Sequence, residues 1–412
     1  MSRRQAVITG VGVAAPSGLG ASAHWESLRK GVRTIAPTSL FDASGYDTPL
    51  AGEVTGFDLE AQVDGRLQAQ TDRWTWLAYA AADQALADAE LDPRAVDPYR
   101  LSVALASSSG GNQFGQRELQ RLWHPETSRK VGAYQSIAWF YAATVGQLSI
   151  RHQAKGPSSV LVSESAGGLD SLGHAARLVE RGASVVLAGG TEAPLSPYAL
   201  SCQQRSGWLS TATDPDAAYL PFDADADGYV PGEGGAVLVV EELEHALARG
   251  ATVRAEIGGW AARHDGVPTR RRGRPPVRHY AAALAGALEK GGTEPGEVDL
   301  VLPDALGVPA YDAAECAALR EVFGGSLPAV AEYKSLTGRL YQGGSALDAA
   351  TAVLAVERCQ VPASGIPRTP AAGCALPFVE EERSGAVDSV LIGSRGYDGF
   401  NSALLLRSPQ SA

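Results

Sequence analysis

Residues 161–175, "LVSESAGGLDSLGHA", decide how the rest of the chain is read. An apolar strand ends, a serine sits in a Gly-rich turn, and an amphipathic helix follows, with Leu169, Leu172, Ala176 and Val179 at three- and four-residue steps. The helix is expected to run over 168–182 and to stop at Gly182. With "PSSVLVS" (157–163) before it and "ASVVLAGG" (183–190) after it, this is a β-α-β unit, which implies a parallel sheet covered by helices. The turn is near the GxSxG elbow of α/β-hydrolases but lacks its first glycine. A serine is a feeble nucleophile unless a base takes its proton. His174 lies in the helix after the elbow, where packing explains it; His245, His264 and His279 have no motif around them.

Outward from the elbow the pattern repeats. "AVITGVGV" (6–13) reads as a buried first strand rather than a signal-peptide core. Its "GVGVAA" (10–15) fits a dinucleotide fingerprint, but "PSGLG" after it is a poor helix opening and no acid is placed for a ribose. Further helices are expected near 280–291, 311–322 and 346–358, strands at 298–302, and two closing strands, "VDSVLIG" and "SALLLRS". The seam between two similar halves, 1–250 and 251–412, falls after "EHALARG". "PTRRRGRPP" (268–276) reads as an exposed loop.

Composition bounds the function. With 45% apolar and 20% charged residues the chain is a soluble globular protein, and no apolar run approaches the roughly 20 residues of a membrane span. A net charge of −11 leaves no basic field for nucleic acid. The four cysteines form no CxxC pair, so neither a zinc site nor a disulfide framework is indicated, and a cytoplasmic setting suits them.

Longer segments carry a resemblance. "GPSSVLVSESAGGLDSLGHAARLVERGASVVLAGGTEAPLSP", "YLPFDADADGYVPGEGGAVLVVEELEHALARGA", "KSLTGRLYQGGSALDAATAVLAV" and "GYDGFNSALLL" resemble β-ketoacyl synthases, the condensing enzymes of fatty-acid and polyketide assembly, over essentially the whole chain. The resemblance implies an α/β thiolase fold, two similar halves in a five-layer αβαβα arrangement. It also implies a cysteine nucleophile and two histidines, and this sequence departs at all three positions: Ser165, Asp304 and Arg339. Lys334, Asp312 and Glu315, which in the family hold the site together, are retained. An aspartate at 304 would repel a malonyl carboxylate, and Arg339 is no proton shuttle at neutral pH. The two are expected to pair, since a lone buried charge is expensive.

A degenerate synthase on an intact scaffold resembles the chain length factors, the ketosynthase beta subunits of type II polyketide synthases, although those commonly carry Gln where Ser165 stands. That resemblance implies a heterodimer with a catalytic ketosynthase and substrate delivered on the phosphopantetheine of an acyl carrier protein, with no cofactor or metal in this chain. It also implies an interface tunnel faced by Asn112, Gly115 and Leu119 of "SGGNQFGQRELQRLW" (109–123), which a helix would place on one side. None of the three is aromatic, so a roomy tunnel is expected; ordinary core packing is the plainer reading of the same spacing. Trp139, Phe140 and Tyr141 are expected to pack the interface or the core. The competing reading is a catalyst in its own right, a Ser165-dependent malonyl decarboxylase, acyl transferase or hydrolase.

Overall fold

The computed structural model describes residues 4–126, 130–266 and 275–409. Its sheet is built twice from one plan. In the first half the strands are Ala6–Ala15, Leu101–Ala106, Ser159–Leu161, Val185–Glu192 and Gly234–Glu242; in the second they are Ala255–His264, Leu300–Leu302, Ala329–Val330, Ser389–Gly396 and Phe400–Arg407. Numbered along the chain within each half, both sets lie in the order 3-2-4-5-1. Strand two pairs parallel with three and four in each half, and strands four, five and one pair antiparallel. The two first strands touch each other, Val7 opposite Glu256 and Ile8 opposite Ala255.

Strands covered on both faces have no solvent side and read as unbroken apolar runs. All ten residues of Ala6–Ala15 and all eight of Val185–Glu192 are buried. Between the two halves run the elbow helix, Gly167–Glu180, and the central helix, Gln342–Arg358; each packs on strands of both halves. Outside lie Arg73–Asp88 against the first half and Arg278–Gly291 against the second, giving the layer sequence αβαβα of the thiolase fold. The expected helix boundaries hold to within a few residues: Gly182, at φ +116°, follows the elbow helix, and Gly292, at φ +62°, follows the outer helix of the second half.

The glycines of "GVGVAA" have a packing role. A Cβ on Gly12 would lie 1.8 Å from the Ala81 carbonyl oxygen, and one on Gly10 would lie 2.2 Å from that of Ala85, so the motif lets the outer helix meet the strand backbone. Gly259 does the same in the second half, 2.1 Å from the Ala287 oxygen. Residues 268–274 of the arginine-rich stretch lie outside the described residues.

Candidate functional site

Ser165 sits in a single 3-10 turn, Glu164–Ala166, between the third strand and the elbow helix. The sequence makes this turn tight in two ways. Glu164 takes a left-handed backbone at φ +50°, a conformation costly for a residue with a Cβ. Gly167 and Gly168 then let the central helix approach: a Cβ on Gly168 would lie 2.4 Å from the Ala346 nitrogen, and one on Gly167 would strike the Gln342 side-chain oxygen. The Ser165 carbonyl is gripped from the second half, accepting from Ser345 Oγ at 2.6 Å and from Ser394 Oγ at 3.0 Å.

The Ser165 hydroxyl is buried and donates to Glu164 Oε1 at 2.9 Å, while Glu164 Oε2 accepts from the Tyr397 N–H at 2.7 Å. Sequence reasoning looked for a histidine and passed over this adjacent carboxylate, although "SES" spells it out. His174 stands apart, its Nε2 3.2 Å from Ser159 Oγ, as its place in the helix suggested.

Asp304 and Arg339 do pair. Arg339 Nη2 lies 2.9 Å from Asp304 Oδ1, and both residues are buried. Arg339 also donates to the carbonyls of Asp304 (3.1 Å) and Arg395 (3.0 Å), and Asp304 Oδ1 accepts the Arg395 N–H at 2.9 Å. Burial works against the guanidinium charge, yet the negative potential led by Asp304 outweighs it and holds Arg339 well above its ordinary value. The cation is permanent, so Arg339 offers no proton to move at neutral pH.

The retained residues frame the loop that carries Asp304. Glu315 accepts the N–H groups of Asp304 (2.8 Å) and Ala305 (2.9 Å) and the hydroxyl of Tyr280 (2.7 Å). Asp312 accepts from the N–H of Gly307 at 3.0 Å and of Phe222 at 2.8 Å. Lys334 Nζ donates to the Pro303 carbonyl at 2.9 Å and to Asp348 at 2.6 Å. Burial raises the carboxyls of Asp312, Glu315 and Asp348, for Glu315 with the Asp304 charge adding to it. These groups act on the backbone, as ties.

In front of the ion pair opens a cavity of about 570 Å³. Glu164, not Ser165, forms its wall at the elbow, beside Arg339 and Arg395. Aromatic rings make much of the remainder: Trp208 stacks edge-on with Tyr311 (4.8 Å between centroids) and Tyr397 (5.1 Å). The Tyr341 hydroxyl meets that of Tyr229 at 3.1 Å and also donates to Gln203. Among the described residues no group of three or more His, Cys, Asp or Glu is placed to hold a metal, and no helix is long and apolar enough to cross a membrane.

Asn112, Gly115 and Leu119 fall on one helix, Asn112–Trp123. Its first turn is capped from outside, Asp72 Oδ2 accepting the Phe114 N–H at 2.9 Å. Asn112 lines the cavity and Gly115 is buried, while Leu119 is 40% exposed, so the three do not share one environment. Trp139, Phe140 and Tyr141 are not core residues: they are 51%, 45% and 38% exposed and lie with Tyr134 and Ile137 on an uncovered apolar stretch. Beside Gly115, the Trp139 indole stands 3.4 Å from where a Cβ at 115 would be, at ordinary van der Waals contact.

Comparison with known proteins agrees with this geometry. Residues 3–246 match the β-ketoacyl synthase N-terminal domain and residues 254–365 its C-terminal domain. The chain is 49% identical over 405 residues to the tetracenomycin polyketide synthase ketoacyl synthase beta subunit of Streptomyces glaucescens, covering 97% of this chain and 98% of that one. It is 45% identical over 403 residues to the actinorhodin polyketide putative beta-ketoacyl synthase 2 of Streptomyces coelicolor, with the same coverage of each. Among solved structures it resembles the ishigamide ketosynthase/chain length factor (TM-score 0.92, 26% identity, covering 99% of this chain and 100% of that one). It also resembles a chain of AntDE:AntF, a type II polyketide synthase acyl-carrier protein in complex with its ketosynthase bound to the hexaketide (TM-score 0.88, 25% identity, again 99% and 100%). With matches over both halves and a fold of the same plan, the chain belongs to the β-ketoacyl synthase family.

Proposed function

We propose that this chain is a non-nucleophilic chain length factor: it pairs with a catalytic ketosynthase and shapes the interface tunnel that sets polyketide length. The reading rests on one observation, the occupied elbow. The Ser165 hydroxyl is spent on Glu164, and Asp304 and Arg339, which stand where the family resemblance implies histidines, are joined in a buried ion pair. A hydroxyl without an imidazole partner does not replace a thiolate in carbon–carbon bond formation. The names of the relatives support a beta-subunit role, and the AntDE:AntF complex supports delivery of substrate by an acyl carrier protein on its phosphopantetheine arm. The uncovered aromatic residues between 134 and 141 suit the partner ketosynthase, aromatic side chains being enriched at interfaces. Residues 1–250 and 251–412 serve as its two thiolase-like halves, Asn112, Gly115 and Leu119 as tunnel-facing positions, and the cytoplasm as its compartment.

The deciding experiment is reconstitution with its ketosynthase, carrier protein and malonyl donor, with sizing of the product. Condensation is expected only from the pair, and Gly115→Phe in this chain is expected to shorten the product. Condensation by the lone chain overturns the reading. The Ser165–Glu164 contact favours a second possibility, a serine turned over with carboxylate help. Intact mass after exposure to an acyl or malonyl donor separates the two: an adduct on Ser165 supports catalysis, and an unmodified chain supports the structural role.

A further inference from the structure

We infer that Trp139 fixes how far a growing chain reaches beside this subunit, acting through the space that the missing side chain at Gly115 leaves open. The inference rests on the tunnel-shaping role proposed above and names the residue that does the shaping. Gly115 alone suggests an opening in the helix surface. A neighbouring segment packs against that opening, since Trp139 Cδ1 lies 3.4 Å from the position of a Cβ on Gly115, and Trp139 lines the cavity alongside Asn112.

The backbone is built to deliver this ring. Gly110 and Gly111 precede the helix, and a Cβ on Gly111 would lie 2.0 Å from the Ala138 carbonyl oxygen, one on Gly110 2.4 Å from that of Trp139. The Gly111 N–H donates to the Trp139 carbonyl at 3.2 Å, and the Trp139 N–H to the Gln135 carbonyl at 3.2 Å. Two glycines thus seat the 138–139 backbone directly on the helix start, and the indole is carried over the third, Gly115. With half its surface exposed, Trp139 stands where the cavity meets the uncovered aromatic stretch. A large, rigid ring in that place limits depth as an aromatic residue at position 115 would, but from the other side.

The two positions are therefore coupled, and a double-mutant cycle reads the coupling. The heterodimer with the ketosynthase is purified for the wild type, Gly115→Phe, Trp139→Ala and the double variant, and product chains are sized by mass. Trp139→Ala is expected to shift the distribution to products longer by at least one extender unit, with the pair intact. Gly115→Phe is expected to shorten the product alone and to do so less in the Trp139→Ala background, where its ring has room. Unchanged length in Trp139→Ala, with shortening by Gly115→Phe unaltered in the double variant, overturns the role of Trp139 and leaves the tunnel reading standing. Length insensitive to every variant overturns both. Should Trp139→Ala fail to pair with the ketosynthase, Trp139→Leu keeps an apolar side chain on the surface and is judged by the same shift.

Discussion

The two halves share a strand order and a way of bringing an outer helix against the first strand, yet they differ in what they gather around the elbow. The second half supplies a cluster of buried charges, Asp304, Asp312, Glu315, Lys334, Arg339 and Asp348, nearly all tied to one loop. The first half supplies the elbow turn, gripped by Ser345 and Ser394 of the second, and the uncovered aromatic stretch from 134 to 141. The charges of the second half are satisfied within the chain, whereas the aromatic stretch of the first is left uncovered. Closure and exposure are separately encoded.

The sharpest way to break this contrast is to open the closed end. Asp304→Ala leaves Arg339 buried beside backbone carbonyls without its counter-ion and is expected to cost about 3–5 kcal/mol, read from the denaturant midpoint. The first half has its own buried acid as a counter-test. Glu192 accepts from the N–H groups of Ser108 (2.6 Å) and Ser109 (3.2 Å), and burial pushes its carboxyl up to about 7 in spite of these bonds. The fold binds this proton more tightly than the unfolded chain does, so the contribution is full below about pH 4.5 and is lost as pH rises through 7. Relative to Glu192→Gln, the wild type is expected to lose about 3 kcal/mol across that window, measured as unfolding free energy against pH.

What the halves share is tested by matched substitutions. Gly12→Ala and Gly259→Ala each drive a methyl into a helix carbonyl and are expected to cost about 1–3 kcal/mol, similar in both halves by thermal unfolding. A large loss for one and none for the other would show that the repeat is only topological. The smallest effect belongs to the open face. Trp123 is 78% exposed, so Trp123→Ser is expected to move the stability of the isolated chain by less than about 0.5 kcal/mol. Co-purification with the ketosynthase should nevertheless fall.

Much of this was legible in the sequence, for a physical reason. The β-α-β unit around Ser165 is local, and burial on both faces writes its strands as apolar runs. The pairing of Asp304 with Arg339 was expected from charge once the family resemblance put both at one pocket, since a lone buried charge is expensive. What escaped depends on contacts across the fold. Nothing local says that Trp139 packs against Gly115, or that Gly10 and Gly12 face the Ala81–Ala85 backbone rather than a dinucleotide. The Glu164–Ser165 bond was missed for the opposite reason: it joins adjacent residues, at a turn whose left-handed backbone at Glu164 no sequence pattern announces. Leu119 shows the limit of periodicity, which puts residues on one helix side without saying whether that side is covered.

The double grip on the Ser165 carbonyl has a consequence for biosynthesis of the chain itself. Its two donors lie 180 and 229 residues downstream, and contacts so distant in sequence form late. Until residues 394–397 are made, the turn lacks one of the two donors to its carbonyl and the Tyr397 N–H that holds Glu164. The last strands to emerge are the ones that finish the first half.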